Sequence, residues 1–424
     1  MRPPLEAGVP DNKVWKLKRP AYGLIDAAHS FFINHAESII SLGCEPCKMD
    51  NATYYYFNDG SRPGDEERHL GGIVGSHIDD SLSVSDDNMR KKVLENMKKK
   101  FTYGSHENLP FRYVGLNIDE NEDGIIINQD HFVENLTSPN LNEISSMKKE
   151  DLLPDKYQTE FRSVVSKLNM LSMTSRPDIT FEVKILTTKY GKAKKMDIMA
   201  ASKLLMKVKR LTTKRAIPNL GKVKDWVLVA FSDAATKKID NAFSVAGYVV
   251  FIVNKVTNHA APITWSSKKI ERVVNSSLGA ETLGVTKLIG TLYFIKEIYK
   301  QMYGTKMGDI PCVTFVDSKD LYEAVHNIKN VQDKRLLGDI LQIKQAIAID
   351  GIITELRLLP GSEMLADPLT KKGVNAEALM EVIRSGQLHI PGNVNIECSE
   401  KFKSTTWKKL MQAQNEGFES FLED

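Results

Sequence analysis

The stretch Trp226-Val227-Leu228-Val229-Ala230-Phe231-Ser232-Asp233-Ala234-Ala235 sets the tightest limit on what this chain can fold into. It reads as a short apolar strand that delivers one carboxylate, Asp233, at its end and then breaks into a small-residue turn. Three more acids stand on elements of their own. Glu281 lies near the start of a helix-periodic segment, Asp317 ends a second apolar strand, and Asp367 opens a late helical segment. Four carboxylates on four separate elements are the usual makings of a metal-dependent nuclease site. Oxygen-only donors suit Mg²⁺ or Mn²⁺ over zinc. Taken singly, each acid reads as a capping or surface carboxylate.

The segments around these acids predict the fold class. Residues 226–233, 243–253 and 262–266 read as strands, 276–302 as a helix, 311–317 as a short buried strand, and 319–327 and 333–349 as helices. Residues 351–359 read as a last strand and 363–371 as a short helix, followed by a helix over 376–384 and a Lys/Glu-rich end from about 399 that is expected to be loosely held. The order βββαβααβα predicts a mixed sheet with helices against it.

Upstream, residues 53–57 form an aromatic strand, and 70–78 a second strand that returns through 81–84, with Asp79 and Asp80 at or near the hairpin tip. Adjacent like charges repel, and a cation between them relieves that; a solvated Asp-Asp turn is the other reading. Residues 87–101 predict an amphipathic helix, 111–118 and 124–128 a hairpin, and 159–174 and 177–190 helices. The polar stretch 137–157 reads as a linker. From Lys184 to Lys224 the chain holds thirteen lysines and arginines against one acid, Asp197. Helix 197–212 keeps an apolar stripe, so Lys207, Lys209 and Arg210 fall on its outward face, either a solvated surface or a footprint for a polyanion.

Composition removes other classes. Within 424 residues no run of about 18 apolar residues occurs, so no transmembrane helix is expected. The N-terminus lacks a charged region followed by an apolar core, so no signal peptide is read there and an intracellular setting, cytoplasm or nucleus, is expected. Four cysteines argue against a disulfide framework. Cys44 and Cys47 make half a zinc site, but Cys312 and Cys398 are isolated, so plain thiols are expected.

Read together, these motifs resemble a known family. Lys16-Leu17-Lys18-Arg19-Pro20-Ala21-Tyr22-Gly23-Leu24, with Ile78-Asp79-Asp80, resembles the reverse transcriptase of copia-type LTR retrotransposons. Phe161-Arg162-Ser163-Val164-Val165-Ser166-Lys167-Leu168 and Thr174-Ser175-Arg176-Pro177-Asp178-Ile179 are similar to its segment joining polymerase to RNase H. Ser232-Asp233, Ala280-Glu281, Val316-Asp317-Ser318 and Leu365-Ala366-Asp367-Pro368-Leu369-Thr370-Lys371 resemble its RNase H motifs.

The resemblance implies an α+β chain: a partial reverse-transcriptase palm over 1–136, a thumb- or connection-like helical and basic segment over 137–224, an RNase H-like domain with a five-stranded mixed sheet over 225–373, and a C-terminal helix and tail over 374–424. Asp233, Glu281, Asp317 and Asp367 would hold the metal ions that cleave RNA in RNA–DNA hybrids. Asp79 and Asp80 would be the paired, metal-binding palm aspartates. Lys16, Lys18, Arg19, Lys207, Lys209 and Arg210 would contact RNA, DNA or the hybrid. The family's third palm Asp lies on a strand well upstream of Tyr22-Gly23-Leu24. Here the preceding stretch offers only Asp11 among Pro and Gly, so the fingers and first palm strand are expected to be absent and the polymerase incomplete, unless other element-encoded chains complete it. The competing expectation is a non-catalytic nucleic-acid-binding remnant.

Overall fold

The computed structural model describes residues 7–10, 12–14, 27–58, 60–78, 80–101, 103–236, 243–305, 309–326 and 333–391. It divides into two compact units, Met1–His106 with Glu297–Gly308, and Glu107–Lys296 with Asp309–Asp424.

In the first unit, helix α1 (Ala27–Ser41) stops before Gly43, whose φ of +95° suits a residue without a Cβ. Strands β1 (Glu45–Pro46), β2 (Thr53–Phe57), β3 (Leu70–His77) and β4 (Asp80–Ser85) form an antiparallel sheet in chain order. The aromatic run of β2 buries both its faces. Tyr54 and Tyr56 pack with Ile39, Val74 and Met89, whereas Tyr55 and Phe57 pack with Cys47, Ile298 and Met302. The helix expected over 87–101 consists of α2 (Asp87–Met89), a π-helical turn (Arg90–Leu94) and α3 (Glu95–Lys100). Asp86 caps it, accepting from the Met89 N–H at 2.8 Å. Cys44 and Cys47 belong to separate apolar clusters and are buried thiols, as is Cys312; burial pushes the Cys44 thiol up to about 12.

The second unit begins with strands β5 (Phe111–Tyr113), β6 (Leu116–Asn121) and β7 (Gly124–Asn128), followed by α4 (Asp130–Glu134). Helices α5 (Asp155–Thr174), α6 (Thr180–Thr187) and α7 (Lys195–Arg210) pack around Phe161, Leu168, Val183 and Leu205. The expected linker over 137–157 is instead part of this core, because Ile144, Leu153 and Tyr157 are buried in it. Arg176 fastens the helices together. Its guanidinium forms a two-pronged pair with Asp178 at 2.7 and 2.8 Å and donates to Leu211 O, just past the end of α7, at 2.7 Å. After α7, strand β8 (Arg215–Pro218), not expected from the sequence, pairs with β7 as the fourth strand of the β5-β6-β7-β8 sheet.

The remaining elements are β9 (Trp226–Ala235), β10 (Val245–Asn254), β11 (Ala260–Lys269), α8 (Ser277–Tyr303), β12 (Cys312–Val316), α9 (Lys319–His326), α10 (Lys334–Ala348), β13 (Glu355–Leu358) and α11 (Glu377–Ser385). The expected five-stranded mixed sheet is present, in the order β11-β10-β9-β12-β13. The first three strands are antiparallel, while β12 runs parallel to β9 and β13 parallel to β12. Strand β9 is apolar from Trp226 to Phe231 because both its faces are covered. On one, Phe231 stacks on Phe315 at 5.1 Å and meets the edge of Phe251 at 6.4 Å, within a core that includes Leu369 and Ile383. Each such ring contributes roughly 1.5–3 kcal/mol on burial. On the other face, Ala234 and Ala246 pack with Ala280 of α8, and Tyr248 Oη lies 2.8 Å from Thr291 Oγ1 of the same helix.

The short helix expected over 363–371 is corrected to two 3-10 turns, Gly361–Glu363 and Asp367–Leu369. Pro368 has no N–H to donate and suits only the start of a helical turn, and the segment is pinned by other contacts before it can lengthen. The C-terminal helix is α11; the tail from 399 lies outside the described residues. Among the described residues no helix is long and apolar enough to cross a membrane.

Candidate metal centre

The parallel pairing of β9 with β12 aligns two of the expected acids. Phe231 and Phe315 are paired, so Asp233 and Asp317, each two residues further on, are carried side by side by neighbouring strands about 4.8 Å apart, Asp317 just past the end of β12. Asp233 does not terminate its strand as expected. It pairs with Gly247 of β10, and β9 continues through Ala234 and Ala235, whose small side chains extend as readily as they turn.

Glu281 arrives from the first turns of α8. That helix can come close because it presents Gly284, where an added Cβ would lie 3.3 Å from Ser232 Oγ. Carboxylate oxygens of Asp233, Glu281 and Asp317 lie within 4.8 Å of one another. Asp233 and Glu281 are 1% and 4% exposed, so two of the three negative charges are nearly out of water.

Asp367 is tied to this group through a lysine. The Lys371 ammonium lies 3.2 Å from Asp233 Oδ1 and 2.8 Å from Asp367 Oδ1. Thr370, one residue earlier and 1% exposed, donates its hydroxyl to Asp233 Oδ2. Gly247 makes this approach possible, since a Cβ there would lie 2.7 Å from Thr370 Cγ2 and 2.8 Å from Leu369 Cβ. Thr370 and Lys371 are further side chains at this cluster, to which the sequence alone assigns no separate part. The signal was their spacing of three and four residues after Asp367, which on one helical turn brings side chains together.

The electrostatics follow from burial. Desolvation pushes the Glu281 carboxyl up to about 9, reinforced by Asp233 and Asp317. Asp233 is also raised by burial, against the pull of Lys371 and Thr370, and Asp317 is raised by burial against Lys371. Lys371 is held above its ordinary value by Asp233 and Asp367, although burial acts the other way. Glu281 Oε2 is buried and has no hydrogen-bond partner. An unpaired, buried oxygen facing two more carboxylates is a strong fit for a hard divalent cation, which would supply the missing partner and offset the repulsion. The group opens into a cleft of about 690 Å³, whose lining includes Phe181, Ser277 and Lys371 beside the three acids.

The other predicted residues lie elsewhere or outside the described chain. Asp80 is exposed in the first unit, opposite His77 on the hairpin; Asp79, Lys16, Lys18 and Arg19 lie outside the described residues. Lys207, Lys209 and Arg210 occupy the exposed face of α7, and Lys207 lies 3.8 Å from Asp178 Oδ2.

No family model matches the chain. It is 25% identical over 387 residues to a retrovirus-related Pol polyprotein from transposon RE1 of Arabidopsis thaliana, which covers 85% of this chain and 24% of that protein. The corresponding polyprotein from transposon RE2 of the same plant is 25% identical over 379 residues, covering 84% and 24%. The chain thus spans about a quarter of the length of these curated relatives. Among solved structures, an RNase H1 isolated from compost is similar with a TM-score of 0.26 and 16% identity, over 36% of this chain and 98% of that one.

Proposed function

We propose that this relative of transposon Pol polyproteins is an RNase H-type endoribonuclease that cleaves RNA in RNA–DNA hybrids, using divalent ions held by Asp233, Glu281, Asp317 and Asp367. The observation that carries the proposal is the convergence of three carboxylates within 4.8 Å, one of them with a buried, unpartnered oxygen. Held by these carboxylates, divalent ions would supply water activation and charge stabilisation for phosphodiester hydrolysis. The chain's own part is positional. The sheet carries Asp233 within β9 and Asp317 just past the end of β12, α8 brings Glu281 to them, and Thr370 holds Asp233 in one orientation. The exposed Lys207, Lys209 and Arg210 would bind hybrid phosphates without reading sequence.

In the same reading the chain is organised as a polymerase-derived segment over 1–136, a helical basic connection over 137–224 and the nuclease over 225–373, with 374–424 beyond. Asp79 and Asp80 would be the palm pair of the polymerase-derived part. Other element-encoded chains are candidate partners.

Incubation with an RNA–DNA hybrid and Mg²⁺ tests the nuclease. Wild type should cut the RNA strand, and Asp233→Asn or Asp317→Asn should lower the rate by at least about 100-fold, the order lost when one electrostatic partner of a reacting group is removed. Metal-dependent cleavage that survives both substitutions would overturn the assignment. A second reading, a non-catalytic nucleic-acid binder, draws on Lys371, whose ammonium already neutralises Asp233 and Asp367. It predicts hybrid binding with no cleavage and no Mn²⁺ uptake.

A further inference from the structure

Asp367 stands apart from the other three acids. Oxygens of Asp233, Glu281 and Asp317 lie within 4.8 Å of one another, and Asp367 does not belong to that group. Between Asp367 and Asp233 lies the Lys371 ammonium, 2.8 Å from Asp367 Oδ1 and 3.2 Å from Asp233 Oδ1. The chain arranges this locally. The Lys371 N–H donates to the Asp367 carbonyl at 3.1 Å, which closes one helical turn and puts both side chains on one face.

A lysine between two carboxylates can serve as scaffold alone, but two observations count against that here. The first is exposure. The Arg176–Asp178 pair, which does fasten elements together, has side chains 4% and 8% exposed, whereas the Lys371 side chain is 37% exposed and lines the carboxylate cleft. An ammonium on a flexible four-carbon stem can leave such a place for water. The second is that Asp233 does not depend on the lysine for its position. Thr370 holds its other oxygen, Oδ2, and pairing with Gly247 holds its backbone. The lysine therefore supplies charge, and a better charge can replace it. A Mg²⁺ ion carries twice the charge and takes carboxylate oxygens at roughly 2.0–2.1 Å, closer than any ammonium nitrogen can come.

We infer that Lys371 is a built-in competitor for metal: its ammonium holds the place of a divalent ion between Asp233 and Asp367, and Asp367 becomes a ligand only when that ammonium is displaced. The three-carboxylate group takes an ion first, and the Asp233–Asp367 pair takes one after Lys371 has left. The inference rests on the metal-dependent reading of the site and adds to it an order of filling.

The test is Mn²⁺ binding to the full chain without nucleic acid, followed by the electron paramagnetic resonance of the free ion. Wild type should bind one ion more tightly than the next. Lys371→Met should tighten the weaker step by about 10-fold or more, since apparent affinity is reduced by the fraction of molecules whose site is free. Lys371→Arg, which keeps a cation suited to carboxylates, should leave that step weak. Lys372→Met removes an equal charge from the exposed next residue of the same cleft and should leave the step near its wild-type value. Loss of a purely structural bridge would loosen metal binding, the opposite direction. Acetylation of wild type, read by mass spectrometry, serves if Lys371→Met does not fold: Mn²⁺ should raise the labelling of Lys371 relative to Lys372. The inference fails if Lys371→Met leaves the weaker step unchanged or looser, if Lys372→Met tightens it equally, or if Mn²⁺ does not raise Lys371 labelling. If wild type binds no Mn²⁺ at all, the metal-dependent reading fails first.

Discussion

Glu281 shows most sharply what a buried three-carboxylate cluster costs the fold that carries it. Its carboxyl stands at about 9, above the ordinary 4.5, because burial and two neighbouring acids disfavour its charge. A carboxyl raised by folding contributes stability that is whole below about pH 4.5 and is lost as pH rises through about 9. Asp233 and Asp317 are raised as well and act in the same direction. The metal-free protein should therefore melt at progressively lower temperature between about pH 5 and pH 9, and Glu281→Gln should flatten that fall. Added Mg²⁺ should raise the melting temperature of wild type most at the alkaline end, and do so less for Glu281→Gln. Differential scanning calorimetry with and without chelator reads all of this. A wild-type melting temperature independent of pH in chelator would mean that the three carboxylates do not share one environment.

Arg176 makes the same kind of demand without any bearing on chemistry. It and Asp178 form a pair whose side chains are 4% and 8% exposed, and Arg176 also satisfies carbonyls at the end of α7. Arg176→Ala strands a buried carboxylate and should cost about 3–5 kcal/mol in urea denaturation, softened by the nearby Lys207. Replacing both partners, Arg176→Met with Asp178→Leu, should recover most of that loss, since the pair's own net worth is small. A single variant as stable as wild type would show that water reaches the pair.

At the scale of elements, the sequence was informative wherever periodicity was long. The strands around Asp233 and the helix carrying Glu281 are legible within a few residues of their ends, because an unbroken apolar run and a long helical periodicity leave little choice of face. Short or compound elements were harder. Strand β8 is four residues ending in Pro218, and its partner β7 lies almost ninety residues earlier, so nothing local announces it. The 137–157 stretch reads as polar because its buried Ile144 and Leu153 are widely spaced, and their burial is decided by helices that come later. The segment 363–371 reads as a helix but forms two 3-10 turns, because Pro368 suits only the start of a turn and the residues after it are held by Asp233. At the site, the four acids were visible as residue types in order. Their level register and the roles of Thr370 and Lys371 were not, because these depend on strand pairing and on the missing side chain at Gly247.

At the scale of the molecule, a net charge of +3 conceals a strong asymmetry, since thirteen basic residues stand against one acid between 184 and 224. Charge of this kind governs association with polyanions far more than it governs folding. Reversing Lys207, Lys209 and Arg210 to Glu should weaken hybrid binding and flatten its salt slope by about 1–3, with fold retained by circular dichroism. Lys209 and Arg210 should carry most of the change, as Lys207 already faces Asp178. An unchanged slope would leave α7 with an ordinary solvated face.

The grip of Thr370 and Lys371 on Asp233 spans 137 and 138 residues of chain. A ribosome adding about 5–20 residues per second takes roughly 7–28 s to cover that interval. During that time the sheet strand bearing Asp233 is already made, while the hydroxyl and ammonium that secure its carboxylate have yet to be synthesised. The polypeptide therefore emerges with its first acid unsecured, and the centre closes only once Thr370 and Lys371 have followed, well after the strand it is built on.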